Sequence, residues 1–152
     1  MMGATTREAY FSDARQYSLD AKLRLTLPPD FRRQMDGTVL LVALFDSIYY
    51  FTPEGHRRWA DSLFENNSQN TSEKSRNLHL FIYSHTKTVD IDSAGRISLT
   101  KIDSADLERL GIKKEVQVVG DRDHFEIWDA EAWKQQQEGI GLDDLRASMF
   151  SN

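Results

Sequence analysis

Ser18-Leu19-Asp20-Ala21-Lys22-Leu23-Arg24-Leu25-Thr26-Leu27 is echoed downstream by Asp90-Ile91-Asp92-Ser93-Ala94-Gly95-Arg96-Ile97-Ser98-Leu99. Aligned on their Asp-x-x-x-Arg motifs, the two stretches put every apolar residue that flanks one motif onto an apolar residue beside the other. The correspondence continues outward. Val39-Leu40-Leu41-Val42 matches Val116-Gln117-Val118-Val119, and Asp46-Ser47-Ile48-Tyr49-Tyr50-Phe51 matches Asp123-His124-Phe125-Glu126-Ile127-Trp128. Each copy then enters a helical stretch, at Pro53-Glu54 and at Ala130-Glu131. The second copy has the longer insert, residues 101–114 against residues 28–37. A lone Asp-x-x-x-Arg has roughly a one in three chance of arising in a chain of this length at ordinary residue frequencies. Two such pairs and no third, both at one point of a duplicated pattern, make the repeat the informative feature. On the residues alone, a salt bridge that merely completes each half of a symmetric fold remains open beside a functional role.

Around the first motif, Leu19, Leu23, Leu25 and Leu27 alternate with Ser18, Asp20, Lys22, Arg24 and Thr26, the period of a half-buried strand. Lys22 and Arg24 are therefore expected to face away from the core. The second motif keeps this parity through Val89, Ile91, Ile97 and Leu99, and Asp92-Ser93-Ala94-Gly95 reads as a turn in which Asp bonds local backbone and Gly supplies positive φ. Each motif is predicted as strand, turn, strand. Its Asp and Arg stand on opposite sides of a hairpin tip, where the carboxylate orients the guanidinium.

Further strands are predicted at residues 39–43, 48–51, 115–119 and 124–128. Helices are predicted at residues 53–66, with Pro53 in the first turn, and at 129–137, with Asp129 as N-cap. A shorter helix is expected within residues 104–110. Residues 66–72, Asn-Asn-Ser-Gln-Asn-Thr-Ser, read as a polar loop, and residues 73–84 as a connecting helix. The fold class is α+β and β-rich, internally duplicated. The units expected are 10–67, a linker over 68–87, 88–138, and an acidic, loosely ordered or accessory tail at 139–152.

The 152 residues suit one domain or two small units sharing a core, and 39% hydrophobic content with 11% aromatics is globular. No apolar run reaches the ~20 residues of a membrane span, the first ten residues lack a signal-peptide core, and the chain is expected in the cytoplasm. Without cysteine there is no disulfide, thiol nucleophile or cysteine-ligated metal. The net charge of −5 argues against nucleic acid, yet Arg15, Lys22, Arg24, Arg32 and Arg33 outnumber Asp13, Asp20 and Asp30 around the first motif. On composition alone, a solvated mixed-charge surface fits as well as a basic face.

No nucleophile elbow, phosphate loop or dinucleotide turn is present, so no enzyme, cofactor or small-molecule substrate is expected. His56, His79, His85 and His124 lack metal-ligand spacing and read as surface or boundary residues. Asp121, Asp123 and Glu126 lack the glycine and terminal glutamate of an EF-hand, and read as a solvated loop edge with no metal. Trp59, Trp128 and Trp133, with Phe125 and Tyr49, read as core or inter-copy packing.

The paired motifs, the segment Asp92-Ser-Ala-Gly-Arg-Ile-Ser-Leu, and Val116-Gln-Val-Val-Gly-Asp-Arg-Asp-His-Phe-Glu-Ile-Trp-Asp resemble the MraZ family, bacterial regulators of the division and cell-wall gene cluster. The resemblance covers residues 10–137 and implies tandem SpoVT-AbrB units of swapped-hairpin fold that assemble into homo-oligomeric rings. Carried over by motif, the DNA-binding pairs fall on Asp20 with Arg24 and Asp92 with Arg96. The family's glycine before the Arg is kept at Gly95 and replaced by Leu23; its following proline is kept at Pro28 and replaced by Thr100. A leucine at positive φ costs about 1 kcal/mol, so the first turn is expected to be strained or differently shaped.

The expected mechanism puts Arg24 and Arg96 in the major groove of double-stranded DNA, pairing with guanine, while Lys22, Arg15 and Lys101 hold phosphates. One protomer offers few contacts, so binding to closely spaced, G-containing direct repeats in a promoter by a nucleoid-associated oligomer is expected. Two other readings compete. One is an assembly module whose Asp and Arg form subunit salt bridges; the other is an antitoxin-like partner-binding protein of the AbrB and MazE fold.

Overall fold

A computed structural model of the chain describes residues 8–66 and 72–151. In chain order the elements are β1 (Ala14–Ser18), β2 (Arg24–Thr26), α1 (Pro29–Arg32), β3 (Thr38–Ala43), β4 (Ile48–Phe51), α2 (Pro53–Asn66), α3 (Ser72–His85), β5 (Thr86–Asp90), β6 (Arg96–Ser98), α4 (Ser104–Arg109), β7 (Glu115–Asp121), β8 (His124–Asp129), α5 (Ala130–Glu138) and α6 (Leu142–Phe150). The α+β class and the duplication stand as expected. The polar loop between the copies falls largely on residues 67–71, outside the described residues.

The two copies interleave. One sheet runs β1-β7-β8-β4-β3-β5 and a smaller one pairs β2 with β6. Exchanging each strand for its counterpart in the other copy (β1 for β5, β2 for β6, β3 for β7, β4 for β8) reverses the order of the large sheet and leaves the small one unchanged. The molecule thus has an internal pseudo-two-fold axis between β4 and β8 and through the Leu25–Ile97 pair. Each copy's first strand completes the other copy's part of the sheet, as Arg15 pairs with Val118 and Val89 with Val39. Each motif is strand, turn, strand as expected, but not a paired hairpin: the strands either side of it lie in different sheets, because each finds its ladder partner in the other copy.

This exchange builds one core. Leu25, Ile97 and Leu99 are fully buried, as are Phe11, Phe31, Tyr50 and Phe125. The Phe125 ring lies 5.4, 5.2 and 5.1 Å from those of Phe11, Phe31 and Tyr50, joining the copies through aromatic contacts. Gly120 lets the chain at Phe11–Ser12 cross β7, since a Cβ there would meet Ser12 N at 2.3 Å. The expected tryptophan packing lies off this center: Trp59 packs on Phe51 at 4.8 Å, and Trp128 meets Trp133 edge-on at 5.2 Å.

The Asp129 carboxylate accepts from the Ala132 amide at 3.0 Å, the expected cap of α5. Beyond it, residues expected as a loose tail form α6, with every residue exposed. Its Leu142, Leu145, Met149 and Phe150 recur near helical spacing. No helix among the described residues is long and apolar enough to cross a membrane.

Candidate nucleic-acid interface

Each Asp-x-x-x-Arg segment closes a tight turn. In the first, the Asp20 amide donates to the Arg24 carbonyl at 3.0 Å and the Leu23 amide to the Asp20 carbonyl at 3.0 Å; in the second, the Asp92 amide donates to Arg96 and the Gly95 amide to Asp92, both at 2.9 Å. The aspartates hold these turns from inside. Asp20 Oδ1 accepts from the amides of Lys22 and Arg24, both at 2.9 Å, and Oδ2 from Arg24 Nε at 2.7 Å. Asp92 repeats this with Ala94 at 3.0 Å, the Arg96 amide at 2.9 Å and Arg96 Nε at 2.8 Å. Donation by the Arg24 amide, aided by its guanidinium, holds the Asp20 carboxyl below the usual range; the Arg96 amide and guanidinium do the same for Asp92.

Leu23 does not reshape its turn. It takes φ +57°, against +81° at Gly95, so a leucine occupies left-handed backbone. Two cross-copy bonds demand this shape: the Leu99 amide donates to the Leu23 carbonyl and the Leu27 amide to the Gly95 carbonyl, both at 2.9 Å. The Leu23 side chain, half-buried, packs against the core, which offsets part of the strain.

The turns feed β2 and β6, which pair antiparallel with Arg24 opposite Ser98 and Thr26 opposite Arg96. Arg24 and Arg96 therefore share one face, set diagonally, a spacing of roughly 7–8 Å in a regular ladder. Their side chains are 29% and 33% exposed, near-identical environments. Because each aspartate takes the Nε hydrogen, the terminal nitrogens point past it, and among the described residues they have no hydrogen-bond partner. The result is a two-stranded ribbon bearing two pre-oriented guanidinium forks.

The family model described as "MraZ protein, putative antitoxin-like" matches this chain twice in tandem, over residues 10–79 and 82–150. The chain belongs to the MraZ family. Proteins named Transcriptional regulator MraZ are similar along most of their length. The one from Corynebacterium urealyticum is 35% identical over 120 residues, covering 77% of this chain and 79% of that protein. The one from Photorhabdus laumondii is 30% identical over 143 residues, covering 90% and 88%. That from Mycoplasmoides gallisepticum is 29% identical over 125 residues, covering 81% and 84%.

In this MraZ-family chain the other expected contacts are placed unequally. Lys22 is exposed at the first turn, beside Arg24. Arg15 Nη2 donates to both oxygens of Asp30 at 2.8 and 2.9 Å, and its Nε lies 3.2 Å from Asp13, so its charge is compensated. Lys101 Nζ donates to the Thr88 carbonyl. Arg32 joins the site unforeseen: its guanidinium lies over the second turn, with Nη2 3.4 Å from the Ser93 carbonyl and Nη1 2.6 Å from where a Gly95 Cβ would stand. Nothing in the sequence near Arg32 signals that it reaches the other copy's turn.

Proposed function

We propose that the chain is a transcriptional regulator that binds double-stranded promoter DNA at G-containing direct repeats, acting as a homo-oligomer at the nucleoid. The observation that carries this reading is the β2–β6 ribbon, with Arg24 and Arg96 on one partly exposed face and each guanidinium steadied by its own aspartate. A β-ribbon fits the major groove, about 12 Å wide, and an arginine fork pairs bidentately with guanine O6 and N7. Lys22 and Arg32, at the two turns, meet flanking phosphates in this reading, and Lys101 lies beyond them, while Arg15 is held by Asp30 and Asp13. The relatives' names support the regulator role.

The net charge of −5 makes single-protomer affinity low, so several ribbons binding repeated sites together supply the strength. Helix α6 supports assembly: nine residues with exposed Leu142, Met149 and Phe150 are too few to hold a helix well in water without a partner surface. A ring satisfies both needs.

Binding of a labeled promoter fragment carrying direct repeats, measured by anisotropy for wild type and the Arg24→Ala/Arg96→Ala double variant, tests the proposal beside oligomer mass from light scattering. Loss of more than a hundredfold in affinity at unchanged mass is the expected result. Unaltered binding overturns the DNA-reading role, and collapse of the oligomer favors an assembly module whose arginines act between subunits.

A further inference from the structure

A second constellation lies at the β7–β8 turn, outside the arginine ribbon. His124 and Glu126, expected at a boundary and at a solvated loop edge, are buried, with side chains only 7% and 10% exposed, whereas Asp121 remains 64% exposed. His124 Nδ1 bonds Asp123 Oδ1 at 2.8 Å. Its Nε2 faces Glu126 Oε2 at 2.9 Å and Asp121 Oδ2 at 3.7 Å. The second glutamate oxygen is already committed, since Oε1 accepts from Ser47 Oγ at 2.7 Å and Trp128 Nε1 at 2.9 Å. Tyr49 stacks on the imidazole with centroids 4.3 Å apart.

A ring nitrogen tied to a carboxylate, with the other nitrogen turned toward convergent oxygens, is the outer-shell arrangement that orients a metal-binding histidine. Three carboxylates around one imidazole also leave excess negative charge even when the ring is protonated. The first copy builds the corresponding strand without these groups. By the internal repeat, Ser47 and Tyr49 stand where His124 and Glu126 stand in the second copy, and β4 forms without either. There Ser47 supports Glu126, and Tyr49 walls the imidazole.

We propose that Asp121 Oδ2, His124 Nε2 and Glu126 Oε2 bind a divalent transition-metal ion of the zinc class, with water in the fourth position. The three ligand atoms lie within 4.8 Å of one another. Tetrahedral zinc, with bonds of about 2.0–2.1 Å, holds its ligand atoms roughly 3.3 Å apart, so the exposed Asp121 moves in and the His124–Glu126 contact opens by a few tenths of an ångström. One imidazole with two carboxylates suits zinc better than calcium, which takes 6–8 oxygens, or a thiolate-seeking ion. The two carboxylates neutralise the ion's charge.

The full-length protein, stripped with a chelator, is titrated with Co2+ while the visible absorption of a four-coordinate ion is followed, and Zn2+ is then added in competition. One Co2+ per chain, displaced by Zn2+, is expected. Asp121→Asn, at an exposed position, lowers affinity at least tenfold, and Asp123→Asn by about 10–100-fold through its hold on the ring, both with unchanged circular dichroism. Absence of a visible band and of competing Zn2+ binding, or wild-type affinity in both variants, overturns the site and leaves the cluster as a histidine clamp that closes the turn.

Discussion

Arg24 and Arg96 lie diagonally across one two-stranded ribbon, on either side of the buried Leu25–Ile97 pair. Each comes from a different copy, so the surface they form belongs to neither repeat alone. Arg96→Lys keeps the charge and loses the fork that Asp92 orients through Nε. About tenfold less discrimination between the promoter repeat and a G-substituted one is expected, with the salt dependence unchanged, as measured by anisotropy titration. A uniform loss on both sequences would show that Arg96 meets only phosphate.

Asp20 and Asp92 titrate below the usual carboxylate range, because backbone and guanidinium donors favor their ionised forms. A lowered carboxyl stabilises the fold above the unfolded value of about 3.9 and loses that contribution as pH falls through the folded value. The stability difference between wild type and an Asp20→Asn/Asp92→Asn variant is therefore expected to be constant from about pH 5 to 8 and to shrink only below about pH 4. Urea unfolding across that range checks it. The same variant weakens DNA binding at neutral pH, since an amide orients the guanidinium poorly.

The two turns share a shape but not a tolerance. Gly95→Ala puts a Cβ at φ +81° and against Arg32, with an expected loss of about 1–3 kcal/mol in denaturant unfolding. Leu23→Gly relieves about 1 kcal/mol of strain but gives up half-buried apolar area and adds unfolded-state entropy, so stability should stay within about 1 kcal/mol of wild type. A Gly95→Ala protein as stable as wild type would contradict the packing of Arg32 on that turn.

Arg15→Ala is expected to change DNA affinity by less than about twofold, because its guanidinium is shared between Asp30 and Asp13. Arg32→Ala should weaken binding equally on all sequences and lower the salt slope by about one. Titrations at several salt concentrations separate the two. A large Arg15 effect would mean that its ion pairs open on DNA.

Much of the site was legible because strand parity and turn chemistry are local. Alternation at Leu25 and Leu27 set Arg24 outward, and an aspartate with glycine three residues later announced the second turn. Leu23 left the shape of the first turn open between strained and altered, since its positive φ is imposed by the bond from Leu99, 76 positions along the chain, and not by its own preference. Arg15 and Arg32 were indistinguishable as charges. Only their partners, Asp30 for one and the second turn for the other, separate them.

By itself the sequence determined the repeat, the periods of its strands and helices and the two Asp-x-x-x-Arg pairs, because these rest on spacing along the chain. The tertiary structure decided that each copy lends its first strand to the other, that two arginines 72 positions apart share one ribbon face, and that a histidine and a glutamate from an acidic loop are buried together. The reason is physical: a half-buried strand specifies which of its faces is apolar, but not which strand supplies its hydrogen bonds. That choice is made when neither copy can bury its apolar face alone and the two close one core between them.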